Sequence, residues 1–236
     1  MSAVFKREFR SFFTTPIGYA VIAILLFFSG YFFNAYNLQN HNANLTSVYT
    51  NLFSIVVLVV LPVLTMRAFS EEKRQRTDQA LFTAPVSLFG VVMGKFLACL
   101  LLFAAALSVT FLYAFVIATQ VTPDWLVIIA NYIGMLLLAG LIIAAGLFFS
   151  SLTESQFVAA LITFAFSFVL MMMDSLAALT ASTPWLSEAI SFLSVYTRYT
   201  GFTQGIIHYD HMFFFLSMQA LFLFLTVRVL DTKRWS

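Results

Sequence analysis

The chain has 236 residues, of which 61% are hydrophobic and only 9% charged, with a mean hydropathy of +0.95. That is more apolar surface than a water-soluble core can hide, so the composition excludes an ordinary soluble domain and makes lipid the solvent. The net charge of +2 gives no argument for nucleic acid, and the single cysteine, Cys99, excludes an intrachain disulfide and a thiolate metal cluster.

The first predicted element is a short amphipathic helix. Phe5, Phe9, Phe12 and Phe13 recur at helical intervals, while Lys6, Arg7 and Arg10 fall on the other side of a 3.6-residue period. Such a helix lies in the headgroup plane. Residues 1–16 are therefore expected to form an elbow, contacting its surroundings through Phe5, Arg7, Phe9 and Arg10. It either anchors the first span or slides when the spans move.

Six apolar stretches follow, at residues 17–36, 51–66, 96–119, 125–150, 156–173 and 212–230. A hydrocarbon core of about 30 Å takes roughly 20 helical residues to cross, so each stretch reads as a transmembrane helix. The first is too long for a signal-peptide core and lacks a small-x-small cleavage site, which makes it an uncleaved span. Six crossings place eleven of the twelve Lys and Arg on one side, leaving only Arg198 on the other. Basic flanks accumulate in the cytoplasm. Both termini are thus expected there, in a multi-pass protein of the bacterial inner membrane.

The connections are short. Pro123 breaks the helix before Trp125, and residues 151–155 form an inner turn in which Thr153 or Ser155 can cap the fifth span. Glu154 in that turn is a candidate contact for a cytosolic partner. Lys95 is expected to snorkel to the cytoplasmic edge of the third span. Residues 174–211 are the longest outer segment. Within it 176–181 and 185–199 are each too short to cross and are separated by Pro184, so two short helices re-entering the outer leaflet are expected. Pairing them into a further crossing would move the C-terminus outside, with Lys233 and Arg234 against the charge rule. Arg198 can reach the outer headgroups, and Asp174 is the candidate polar group of a translocation path. His208 and His211 are spaced to share a helical face, but no third metal ligand is placed near them.

Residues 67–87 carry the functional inference. Ser70 can cap a helix whose first turn holds Glu71 and Glu72, with Lys73 and Arg74 following, and Ala80, Leu81 and Phe82 make an apolar tip before Pro85. Positive-inside topology accounts for the basic residues but not for the acidic pair or the tip. A charged helix with an apolar tip suits docking in a groove of a cytosolic protein.

The run Leu61-Pro62, Met66-Arg67, Ser70 to Arg74, Thr77-Asp78, Leu81 and Thr83 to Ser87, followed by Gly94-Lys95-Phe96, resembles the permease subunits of type-2 ABC exporters, closest to the gliding-motility-associated branch. The resemblance extends in layout over the whole chain, residues 1–236, as one transmembrane domain. It implies that residues 67–87 form a coupling helix engaging a separate ATPase through Glu71, Glu72, Arg74, Thr77, Asp78, Leu81, Phe82 and Pro85, with Glu154 as a second contact. It implies a second permease copy, most simply in a homodimer, and an additional membrane subunit with an extracytoplasmic domain. ATP and magnesium would be bound by the ATPase, with no cofactor, metal or catalytic group on this chain. The expected function is coupling of ATP hydrolysis to export or to conformational work. The alternative is a module that transmits force to an envelope machine without carrying a solute.

Overall fold

The computed structural model describes residues 2–76, 87–119, 121–180, 183–206 and 208–235. Among them the secondary structure is helical and contains no strand. An N-terminal helix, Ser2–Thr14, ends at Thr15, and Pro16 opens the first span. Among the described residues six helices are long and apolar enough to cross a membrane: Pro16–Leu38, Thr46–Arg74, Leu88–Ala118, Trp125–Leu152, Gln156–Leu179 and Tyr209–Thr232. We call the end of the bundle that carries the N-terminal helix the basic end, and the opposite one the far end.

The helices run beyond the apolar stretches because caps, rather than hydropathy, fix their ends. The Ser87 hydroxyl accepts from Gly90 N–H at 3.2 Å, so the third span starts well before residue 96. Asp124 and Ser155 cap the fourth and fifth spans in the same way. The second span is a broken rod. Pro62 cannot donate to the ladder, and the turn before it, Val56–Val60, widens to a π-helix in which Leu61 N–H reaches back to the Val56 carbonyl. The helix stops again at Met66 and restarts as the short helix Ser70–Arg74.

The fourth span is the axle of the bundle. Gly134, Gly140 and Gly146 recur every six residues, which turns each about 240° from the last. Each glycine therefore meets a different neighbour. A Cβ at Gly134 would lie 2.7 Å from Phe202, one at Gly140 2.8 Å from the Gln219 amide, and one at Gly146 2.2 Å from Thr65 Oγ1. Small residues let helices approach closely where lipid gives no hydrophobic drive between them. Polar bonds add to the packing: Gln219 Nε2 donates to the Leu137 carbonyl at 2.9 Å, and the Tyr49 and Thr110 hydroxyls are 2.7 Å apart.

The segment after the fifth span departs from the sequence reading. Residues 176–179 continue the fifth span to Leu179 instead of forming a separate short helix. The apolar run at 185–199 is two helices, Pro184–Phe192 and Val195–Thr203, because Ser194 caps the second by accepting from Thr197 N–H at 3.2 Å. Arg198 does not extend outward. Its guanidinium donates to the Phe192 carbonyl and stacks 4.2 Å from the Phe214 ring centroid, since ring faces and a bare carbonyl lie within its reach.

Candidate functional site

The charged residues gather at the basic end, where the N-terminal helix, the break in the second span and the start of the third span meet. Val4 and Phe12 bury one face of the N-terminal helix, and Glu8 lies between them on that face. Phe5, Phe9 and Phe13 stack along a neighbouring, partly exposed face, with ring centroids 5.9 and 5.3 Å apart. Lys6 and Arg10 are exposed. Gly94 allows this close seat, since a Cβ there would come within 3.1 Å of Val4.

Next to Gly94, Lys95 is 2% exposed. The sequence reading that its ammonium snorkels to the surface is overturned, because its partners are inside. Lys95 Nζ lies 3.2 Å from Glu8 Oε1 and 3.0 Å from Glu72 Oε1, and donates to the Ala68 carbonyl at 2.6 Å. Arg7 Nη2 closes the group at 2.6 Å from Glu8 and 2.7 Å from Glu72. These two cations and two anions sum to zero, which is what allows Lys95 to be withdrawn from water at the edge of a bilayer, while the Arg7 side chain stays 55% exposed. Partial burial pulls the Arg7 pKa down, but the hydrogen bond and charge of Glu8, then those of Glu72, outweigh it and raise it.

Glu71 bonds along the chain instead: Arg67 Nε is 2.6 Å from its Oε2, an i,i+4 pair. The acidic pair that topology did not explain thus has a reason inside the chain. These groups line a cavity of about 330 Å³ whose inner wall includes Cys99.

The short helix is capped from outside its own sequence. Ser70 is not its cap; the Ser70 hydroxyl donates back to the Met66 carbonyl. Its N-terminal N–H groups go to Ser150 of the fourth span, and Lys73 Nζ donates to the Ser151 carbonyl. Arg76 closes the other end in the left-handed region at φ +55°, its N–H donating to the Lys73 carbonyl at 3.0 Å. Thr77, Asp78, Leu81, Phe82 and Pro85 lie outside the described residues.

Arg74 and Glu154 line a second, open cleft of about 790 Å³ at the same end, floored by Val63, Met66 and Ala160 with Phe157 at its edge. Two residues that sequence placed on separate connections therefore share one surface. At the far end, Asp174 Oδ1 accepts from the Thr197 hydroxyl at 2.7 Å, tying the fifth span to Val195–Thr203. The His208 and His211 rings are 5.0 Å apart, and among the described residues no three His, Cys, Asp or Glu converge on a metal position.

Sequence reasoning missed Glu8, Arg67 and Ser150. Glu8 had a signal: it is the acid at i+4 from Val4 and i−4 from Phe12, the face the helix buries. Ser150 had none, because its partners are 80 and 81 residues away.

Residues 18–207, from the first span through the helices that follow the fifth, match the family described as ABC-2 family transporter protein. No curated protein matches the chain.

Proposed function

The chain belongs to the ABC-2 family of transporter proteins, and from that premise we propose that it is the permease subunit of an ABC system, driven by a separate ATPase that binds ATP and magnesium. The permease hydrolyses nothing itself. The observation that carries this reading is the joining of the N-terminal helix, the Ser70–Arg74 helix and the third span through the Arg7–Glu8–Glu72–Lys95 group. A force applied to the segment after Arg74 reaches two other helices through charges that cannot separate cheaply. It does not have to pass through a flexible loop.

In this reading the basic end faces the cytoplasm of a bacterial inner membrane, with both termini there, as the split of basic residues supports. The cleft between Arg74 and Glu154 offers the ATPase one contact of each sign. A second permease copy, the gliding-motility branch and an extracytoplasmic subunit belong to the same proposal, supported by the run from Glu71 to Ser87. ATP binding does work only if the ATPase prefers one permease conformation over another.

The test is purification in mild detergent and identification of what accompanies the chain. An ABC ATPase is expected with the wild type and is lost from the Arg74→Glu/Glu154→Arg variant. Retention by that variant removes the cleft from the docking surface, and the absence of any ATPase from the wild type refutes the permease assignment.

A further inference from the structure

The break at the end of the second span exposes backbone donors that its own helix cannot satisfy. The Met66 N–H still reaches the Pro62 carbonyl, and Ala68 N–H reaches Thr65. The N–H groups of Phe69 and Ser70 have no such acceptor behind them, and buried amides of this kind require a partner. Both find the same one. Phe69 N–H donates to Ser150 Oγ at 3.0 Å and Ser70 N–H at 3.1 Å, while the Ser150 hydroxyl donates to the Met66 carbonyl at 3.2 Å. One fully buried hydroxyl thus uses its donor and both its lone pairs on the break.

Two further features make this a designed contact between elements. The hydroxyl reaches the break because the helices touch one turn earlier, at Gly146 against Thr65. Gly146 and Ser150 are four apart on the fourth span, as Thr65 and Phe69 are on the second, so the two pairs form matching rungs. The contact is also reciprocal. Lys73 of the short helix donates to the carbonyl of Ser151, in the last turn of the fourth span.

We infer that Ser150 is a positioning residue for energy coupling: it clasps the Ser70–Arg74 helix to the end of the fourth span, so that both connections at the basic end move as one body. The inference rests on the coupling reading above and adds a second route to it. The charge group ties the short helix to the N-terminal helix and the third span. The clasp ties it to the fourth span and, through Ser151, to the turn that carries Glu154. Without the hydroxyl, the two amides and the Met66 carbonyl lose their common partner and the short helix can tilt independently of the axle.

The test has two arms, using the full chain in lipid nanodiscs. In the first, hydrogen exchange is followed at the amides of Phe69 and Ser70. Loss of the shared acceptor in Ser150→Ala speeds exchange by about tenfold, the factor expected for one hydrogen bond. Ser150→Thr, which keeps a hydroxyl, restores protection, and Thr226→Ala, which removes a buried hydroxyl bonded within its own helix, leaves exchange unchanged. Unchanged exchange in Ser150→Ala refutes the clasp.

In the second arm the chain is assembled with its ATPase. Spin labels on the short helix and the fourth span report whether the two keep one distance on trapping with ATP and vanadate, and ATP turnover is measured in parallel. The wild type is expected to keep one distance through trapping, as a single body does; Ser150→Ala keeps ATPase binding and turnover while the spread of distances widens several-fold on trapping, and Ser150→Thr restores the narrow distribution. A distance as fixed in Ser150→Ala as in the wild type, despite faster exchange, or a wild-type distance that shifts on trapping, overturns the positioning role. A wild-type chain that recruits no ATPase overturns the coupling reading, with the exchange arm still deciding the clasp.

Discussion

Lys95→Met removes the cation around which Glu8, Glu72 and the Ala68 carbonyl are arranged. Methionine keeps the apolar stem beside Phe69, so the change is electrostatic rather than a cavity. The group goes from neutral to one net negative charge, with Arg7 as its remaining cation. Removing one partner of a buried ion pair costs about 3–5 kcal/mol. Glu8 and Glu72 keep 18% and 20% of their side chains exposed, which places the cost near the lower end of that range. For a chain of this length that corresponds to a fall in Tm of roughly 6–12 °C.

Cys99 makes the assay internal: it is the single thiol, is buried, and lines the same cavity, so a fluorogenic maleimide reports unfolding without added labels. Adding Glu72→Gln to Lys95→Met restores neutrality and is expected to recover about half the loss, as a double-mutant cycle measures. A wild-type melting curve for Lys95→Met, or no recovery in the pair, would show that the four charges do not act as a balanced group.

Topology is checked by cysteines in a Cys99→Ala background. One at Asn40 is expected to react with an impermeant thiol reagent from the periplasmic side, and those at Gln75 and Thr232 are not; labelling of Thr232→Cys from outside overturns the six-span arrangement. Gly146→Ala drives a methyl group against Thr65 and is expected to destabilise by about 1–3 kcal/mol, the usual cost of overpacking. Thr65→Ala in the same chain should recover part of that by removing the atom 2.2 Å away, and a Gly146→Ala chain that melts like the wild type would contradict the close approach of the second and fourth spans.

Some of this protein is written locally. The apolar runs determine six spans because crossing a membrane depends on length and composition alone, and both are properties of a single segment. The N-terminal helix follows from its 3.6-residue period, and the starts of the third, fourth and fifth spans follow from Ser87, Asp124 and Ser155. Even the buried face of the N-terminal helix was present in the spacing of Val4, Glu8 and Phe12, though Arg7 and Arg10 drew attention to the opposite side.

Tertiary structure decided what the charges and hydroxyls do. Lys95 carries the same side chain whether it snorkels or turns inward; Glu8, 87 residues away, and Glu72 on another connection choose between those fates. Glycine at 134, 140 and 146 announces close packing, but only the assembled bundle assigns each to Phe202, Gln219 or Thr65. Ser150 is one hydroxyl among many until the broken second span delivers two unpaired amides to it. Helix formation and membrane insertion are short-range and readable residue by residue. Satisfaction of buried polar groups requires partners that only folding brings together.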